Sequence, residues 1–215
     1  MKKEILLGMA AFSMLIASCG GGESADNAGA DTTKKDTTPV VVTNNYSVDT
    51  AASVVNWKAY GSLTDTSKYH TGTLKLSAGN ITTSDSAGTS SLTAGDLTFD
   101  MASATDAAGM TDLDAHLEAA EFFNIAQYAT STFTFESYDG TNATGTLSIT
   151  GKTVSISAPT VVTITPESVN VEVSMFLIDF LAMEMPYFVE DAKQKPAKQH
   201  NPKVEVTATI VATKI

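Results

Sequence analysis

Apolar and polar residues alternate with a period of two along most of the chain, which is typical of half-buried β-strands. Clear examples are Val55-Asn-Trp57, Leu97-Thr-Phe-Asp-Met101, Thr132-Phe-Thr-Phe135, Val169-Asn-Val-Glu-Val173 and Val204-Glu-Val-Thr-Ala208. Turn-forming pairs separate such segments, among them Ala87-Gly88, Asp139-Gly140 and Thr150-Gly151. Roughly eight segments at hairpin spacing predict an all-β protein, either an antiparallel sandwich or an up-and-down barrel.

One segment, from Asp112 to about Tyr128, interrupts this alternation and predicts a short helix. Thr111 is a candidate N-cap for that helix. The adjacent Phe122 and Phe123 would point about 100° apart on a helix and so widen its apolar face. The helix is therefore expected either to plug one end of a barrel or to form the wall of an apolar cavity.

The N-terminus predicts an exported and lipid-anchored protein. A charged head precedes an apolar run, Ile5–Ala17, that is too short for a transmembrane helix. The run ends in Ile16-Ala-Ser-Cys19, which resembles a bacterial lipobox. Residues 1–18 are thus a predicted signal peptide and Cys19 the predicted lipidation site. Since Cys19 is the single cysteine of the chain, no intrachain disulfide can form.

Composition places the domain boundary near Tyr46. Residues 20–45 contain no aromatic side chain and too little apolar surface to order themselves, so residues 19–45 are predicted to be a flexible linker. Residues 46–215 keep a uniform composition and are long enough to bury a sizeable core as one domain.

The charge of the chain excludes one class of partner. The formal net charge is −11 and the sequence contains no arginine. An acidic chain without the planar guanidinium fork is poorly suited to nucleic acid or to other anionic polymers.

Several motifs in order resemble the YceI-like family, especially its lipoprotein branch. They are Tyr46-Ser-Val-Asp49, Ser53-Val-Val-Asn-Trp57, His70-Thr-Gly-Thr-Leu74, Gly95-Asp-Leu-Thr-Phe-Asp-Met101, His116-Leu-Glu-Ala-Ala-Glu-Phe-Phe-Asn124, Tyr128-Ala-Thr-Ser-Thr-Phe133 and Gly145-Thr-Leu-Ser-Ile-Thr-Gly-Lys152. The resemblance implies an eight-stranded antiparallel lipocalin-like barrel, with one short helical segment around residues 112–128. Some members hold a polyisoprenoid chain in the barrel. This chain departs from the family at Phe180, which follows Ile178-Asp179 where the family commonly has an arginine.

The resemblance also implies that inward side chains line an apolar ligand cavity. The alternative interpretation is that the same side chains fill a dry core. The predicted cavity residues are Trp57, Phe99, Met101, Leu117, Phe122, Phe123, Phe133, Phe135, Leu147, Ile149, Val171, Val173, Phe176, Phe180 and Met183.

Two C-terminal segments allow two interpretations each. The stretch Met175–Phe188 is rich in Met and Phe, and is either a flexible apolar rim at the cavity mouth or a strand that continues into a packed loop. The stretch Asp191–Lys203 carries four lysines and is either a solvated loop or a site for a lipid phosphate.

The sequence contains no catalytic motif: His-Glu-x-x-His, Gly-x-Ser-x-Gly and phosphate-binding loops are all missing. We therefore expect a non-enzymatic protein without metal or cofactor, anchored by lipid to the outer membrane and facing the periplasm. It would carry or sequester a polyisoprenoid or another long apolar molecule. The alternative is an envelope protein-interaction module with a filled core and no ligand.

Overall fold

The computed structural model describes residues 39–215, of which most belong to one antiparallel sheet. The predicted signal peptide, Cys19 and most of the predicted linker lie outside the described residues. Nine strands follow one another: β1 (Val41–Val48), β2 (Val54–Tyr60), β3 (Tyr69–Ser86), β4 (Thr89–Asp106), β5 (Thr130–Tyr138), β6 (Asn142–Ile149), β7 (Lys152–Ile164), β8 (Ser168–Asp179) and β9 (Lys203–Lys214). Helix α1 (Thr111–Glu118) lies between β4 and β5, and helix α2 (Pro186–Asp191) and a 3₁₀ turn (Pro196–Lys198) lie between β8 and β9.

The sheet closes into a barrel with eight strand positions. Strands β3 to β9 and β2 form a closed ring in the order β3-β2-β9-β8-β7-β6-β5-β4, and β4 returns to β3. Strand β1 shares the position of β2, because β1 pairs with Asn80–Ser86 of β3 while β2 pairs with Tyr69–Leu74 of the same strand. The predicted eight-stranded antiparallel lipocalin-like barrel is confirmed. Strand β1 begins at Val41, before the predicted domain boundary at Tyr46.

Tight hairpin turns form where the sequence predicts them. Ala87-Gly88 and Thr150-Gly151 are two-residue turns in which both residues have positive φ, and each joins a directly paired strand end. A turn of this type matches the right-handed twist of the flanking strands, and glycine adopts its positive φ without steric cost.

The helical segment is shorter than the sequence pattern suggests. Helix α1 ends at Glu118, Ala119 is extended, and the chain then turns through Asn124 at a φ of 48°. The Phe123 amide donates to the Leu117 carbonyl at 3.0 Å instead of continuing the helical ladder. This turn directs Phe122 and Phe123 together into the barrel, which a continuing helix would not do.

The predicted N-cap role of Thr111 is wrong. Thr111 is the first residue of α1, and Met110 stands at the N-cap without a side-chain hydrogen bond. In the turn that precedes the helix, carboxylates accept hydrogen bonds from backbone amides. The Asp106 carboxylate accepts from the Ala108 amide at 2.9 Å, and Asp114 accepts from the Asp106 amide at 2.8 Å.

The connections between strands give the two ends of the barrel different characters. The long connections β4–β5 (residues 107–129) and β8–β9 (residues 180–202) lie at the same end, which we call the capped end. The short β3–β4, β5–β6 and β7–β8 turns lie at the opposite end.

Candidate functional site: an apolar cavity inside the barrel

The barrel encloses a cavity of about 220 Å³. All eight strand positions contribute to its wall, together with Leu117, Phe122, Phe123 and Phe180 from the capped end. One water molecule requires roughly 10–15 Å³ when volume is counted in this way, so the space is far larger than a packing defect. The barrel is therefore hollow, and its inward side chains do not meet at the axis.

Every residue predicted for the cavity lines it except Met183. Met183 is buried, with 6% of its surface exposed, but it packs in the β8–β9 connection and belongs to the surrounding core. Its amide donates to the Asp179 carbonyl at 3.1 Å in the turn that follows β8, and this turn carries the side chain out of the cavity wall. Contact of the lining residues with a ligand stays a prediction.

Other lining residues were missed by the sequence interpretation although the same signal could have found them. On β9 they recur with strict period two, and on β7 they form another alternating set. Both segments alternate apolar and polar side chains in the sequence. The residues missed on these two strands are Val204, Val206, Ala208, Ile210, Ile156, Ala158 and Thr160.

A β-bulge on β8 decides which of its side chains face inward. The pairing of β8 with β9 shifts register between Val173 and Phe176, so both residues line the cavity although they are three positions apart. Met175 is turned outward and is 52% exposed. The inserted residue changes the phase of the alternation, as β-bulges do.

The few polar groups in the wall already have protein partners. The Ser131 hydroxyl donates to the Met101 sulfur at 3.0 Å, and the Thr160 hydroxyl donates to the Ala158 carbonyl at 2.8 Å. The indole N–H of Trp57 donates to the Thr73 carbonyl at 3.3 Å. The cavity thus offers a hydrocarbon surface with no polar side chain awaiting a partner.

Aromatic rings close the capped end of the cavity. The Phe122 ring lies at the centre of this cluster, with centroid distances of 4.8 Å to Phe123, 6.0 Å to Phe180, 5.7 Å to Phe188 and 5.6 Å to Tyr187. Most of these pairs meet edge to face, an arrangement that aromatic quadrupoles favour. We call Phe122, Phe123, Phe180, Tyr187 and Phe188 the aromatic cap.

The cap explains why a phenylalanine stands at position 180, where the resemblance to the YceI-like family implies an arginine. Phe180 is 5% exposed and stacks on Phe188 at 5.8 Å between centroids. The neighbouring Asp179 carboxylate accepts hydrogen bonds from the amides of Leu181 and Ala182, both at 3.0 Å. An apolar ring therefore completes the cap at the position where the resemblance implies a charged side chain.

Two polar contacts hold the connections of the capped end in place. The Tyr187 amide donates to the Glu121 carbonyl at 2.9 Å and so joins the β8–β9 connection to the β4–β5 connection. Within the β8–β9 connection, the buried Asp191 carboxylate accepts from the His200 amide at 2.7 Å and lies 3.1 Å from the His200 ring nitrogen.

Burial, and secondarily the Asp191 charge, raise the pKa of Tyr187 above its usual value.

The Met175–Phe188 stretch is a strand end followed by a packed connection, not an exposed rim. Met183, Met185 and Phe188 are 6%, 0% and 6% exposed. Leu181 is 39% exposed and Leu177 51% exposed, but they do not form a continuous rim with the buried methionines. The Asp191–Lys203 stretch is largely exposed apart from Asp191, with its lysines on the surface.

The three histidines each lie beside a carboxylate. His70 is 3.4 Å from Asp106, and His116 is 3.4 Å from Glu121. In residues 39–215 there is no group of three His, Cys, Asp or Glu side chains placed to hold a metal ion.

Among the helices of the described region, none is long and apolar enough to cross a membrane.

Comparison with known proteins identifies the family. No curated protein matches the chain significantly. A polyisoprenoid binding domain from Saccharophagus degradans, implicated in plant cell wall breakdown, has a similar structure, with a TM-score of 0.57 and 15% identity over 79% of this chain and 98% of that one. BcnA from Burkholderia cenocepacia superimposes with a TM-score of 0.51 and 17% identity over 77% of this chain and 99% of its own. At these identities the likeness concerns the fold. The sequence pattern of the YceI-like domain matches residues 46–212, and the chain therefore belongs to the YceI-like family.

Proposed function

We propose that this protein binds a polyisoprenoid or another long apolar molecule inside its barrel, and carries or sequesters it without making or breaking a covalent bond. The observation that carries this proposal is the hydrocarbon-lined cavity of about 220 Å³ at the centre of the fold. The similar polyisoprenoid binding domain from Saccharophagus degradans supports the same class of ligand.

The chemistry of the wall favours a hydrocarbon ligand over a polar one. Each methylene transferred from water into such a site contributes roughly 0.8 kcal/mol, so a chain of several carbons needs no polar contact to bind. A polar group placed against Phe99, Leu147 or Val206 would lose its hydration without gaining a partner. Binding is thus expected to depend on the length and shape of the hydrocarbon.

We propose further that the protein works as a lipoprotein attached to the outer membrane and facing the periplasm. The lipobox-like Ile16-Ala-Ser-Cys19 supports anchoring through Cys19. Anchoring would keep the barrel near the membrane from which an apolar ligand is taken or to which it is delivered.

Native mass spectrometry of the protein isolated from its own membrane tests this function. We expect an adduct with the mass of an isoprenoid or another long-chain lipid, in addition to the acyl groups on Cys19. Adduct-free protein, together with no uptake of lipid after extraction with organic solvent, would count decisively against a carrier.

The interaction-module alternative loses its two structural supports. Its filled core conflicts with the cavity, and the Met and Phe side chains that would form its contact surface are buried. A pull-down that depends on Met183, Met185 and Phe188 would therefore report unfolding of the capped end as readily as loss of an interface.

A further inference from the structure

Strand β1 has one edge without a partner strand. On one side, Val41–Ser47 pairs continuously with Asn80–Ser86 of β3. On the other side, β1 pairs with β9 only over Tyr46–Val48. Among residues 39–215, no strand pairs with the side of Val41–Asn44 that faces away from β3, and we call this side the free edge.

The backbone groups on the free edge belong to Val41 and Thr43. The Asn45 carbonyl accepts from the Ile215 amide at 3.1 Å, so the backbone groups of Asn45 point away from β3. In an antiparallel strand the N–H and C=O of one residue point to the same side, and the side alternates from residue to residue. Val41 and Thr43 therefore present both of their backbone groups to the free edge, and an unpaired row of this kind is a template for strand addition.

The free edge is apolar and carries no charge. No charged residue occurs between Val40 and Tyr46. The Val40, Val41 and Val42 side chains are 80%, 62% and 49% exposed. Proteins usually protect an exposed edge against pairing with charged side chains, proline or a bulge, and the stretch from Val41 to Asn44 has none of these. The free edge is therefore suited to pair with another strand.

A twofold axis through Val42 pairs the free backbone groups with each other. In that register Val41 lies opposite Thr43 of a second copy and exchanges both backbone hydrogen bonds with it, while Val42 lies opposite its own copy. An axis through Val41 would instead bring Pro39, which has no N–H, opposite Thr43. An axis through Thr43 would bring Val41 of the second copy opposite Asn45, whose carbonyl is already hydrogen-bonded within its own chain. Only the axis through Val42 satisfies all the free groups.

We propose that the free edge of β1 is the interface of a homodimer, in which two copies pair antiparallel about Val42 and join their sheets. The partner is a second copy because the free donors and acceptors of Val41 and Thr43 match those of their own copy. A stable complex buries roughly 1,200–2,000 Å², and a strand edge of this length buries less, so the dimer is weak and forms where copies are concentrated. The interface lies outside the barrel wall and does not depend on a ligand in the cavity.

Disulfide cross-linking of Val42→Cys tests the pairing in cells that express the full chain. Residues directly opposite each other in a non-hydrogen-bonded pair have Cα atoms about 4.5 Å apart, which is within the reach of a disulfide. After brief oxidation with copper phenanthroline we expect the disulfide-linked dimer as the main product. Cross-linking no greater than that of the parent chain, whose single cysteine is Cys19, would overturn the proposal.

Two further cysteine variants control for random collisions. Val41→Cys changes a neighbouring exposed residue, but the two copies of position 41 would be about 8 Å apart in the proposed register, too far for a disulfide. Val161→Cys changes a residue of β7 that is 59% exposed. Both variants should cross-link much less than Val42→Cys. Equal cross-linking of all three variants would show that the copies meet at random and would refute the interface.

Charge substitutions at Val42 separate this interface from any other contact between copies. Two copies of Val42→Lys, or two of Val42→Glu, place like charges opposite each other, whereas one copy of each places opposite charges there. Differently tagged copies, fixed with formaldehyde before purification, should co-purify at least about fivefold less with either substitution alone and recover when the two substitutions are combined. Circular dichroism checks that each variant is folded. Co-purification that neither substitution reduces would assign the contact to another surface and contradict the proposal.

Thr43→Pro tests the contribution of the backbone hydrogen bonds. Proline removes the N–H that Thr43 presents to the free edge and leaves the pairing with β3 intact, because the backbone groups of Thr43 point away from β3. We expect cross-linking of Val42→Cys to fall in the Thr43→Pro background, with little change in melting temperature. Undiminished cross-linking would rule out backbone pairing, and a large loss of melting temperature would show that the Thr43 amide is bonded within its own chain and that the edge is not free.

Discussion

Replacing Phe122 with alanine measures how much the aromatic cap contributes to the stability of the barrel. Phe122 is 8% exposed and contacts Phe123, Phe180, Tyr187 and Phe188 at centroid distances of 4.8 to 6.0 Å. Truncation of a buried phenylalanine to alanine costs about 3–5 kcal/mol. The loss of several aromatic pairs argues for the upper part of that range, since each contributes about 0.5–1.5 kcal/mol beyond its buried area.

The existing cavity argues instead for the lower part of the range of about 3–5 kcal/mol. Phe122 lines the cavity, so one face of its ring has few packing partners to lose. We therefore expect Phe122→Ala to lower the free energy of unfolding by about 3 kcal/mol, a large fraction of the 5–15 kcal/mol of an ordinary domain.

Urea denaturation followed by far-ultraviolet circular dichroism gives the measurement. With a denaturant dependence of about 2 kcal/mol per molar urea, a loss of about 3 kcal/mol moves the midpoint down by about 1.5 M. Leu177→Ala is the matched control, because Leu177 is 51% exposed on the outside of β8 and its truncation should change stability by no more than about 0.5 kcal/mol. A midpoint shift for Phe122→Ala as small as that of the control would refute the view that the cap is a tightly packed part of the fold.

Two further predictions concern backbone packing and alkaline stability. Gly72→Ala should lower the melting temperature of the barrel strongly, because the added Cβ would lie 1.9 Å from the Thr105 carbonyl oxygen. Gly61→Ala is the control and should change the melting temperature little, because the nearest atom to its added Cβ lies at 3.8 Å. Equal melting temperatures of the two variants would contradict the close approach of β3 and β4. Burial and the Asp191 charge raise the pKa of Tyr187 in the folded state above its usual 10.0. At alkaline pH the folded chain therefore binds more protons than the unfolded chain, and the free energy of unfolding should fall as pH rises above about 10. Tyr187→Phe should reduce that fall in urea midpoints measured between about pH 9 and 11, and an unchanged pH profile would refute the assignment.

Side-chain alternation made much of the cavity wall predictable. From Gly95 to Met101 of β4 and from Ser131 to Phe135 of β5 the inward positions follow a period of two, so Phe99, Met101, Phe133 and Phe135 could be assigned to one face before the sheet was known. A closed barrel has only an inner and an outer face, and therefore the alternation suffices to identify the inner one.

The alternation could not reveal where its phase changes. The bulge in β8 places Val173 and Phe176 on the same face, and bulges depend on how two strands pair, which is a property of the sheet. The assignment of Met183 to the cavity failed for a related reason, because a turn stabilised by the Asp179 carbonyl carries it away from the wall.

The amino-acid pattern was enough to predict the class of structure: antiparallel strands, tight turns at glycine-containing pairs, and apolar residues directed to one face. These follow from local preferences and from the period of the pattern, which act over a few residues. Whether the inner face surrounds an empty volume could not be predicted in this way, because it depends on the summed sizes of side chains from all eight strand positions and from the aromatic cap. Packing between residues such as Phe122 and Phe180, which are far apart in the chain, forms the wall of that volume at the capped end.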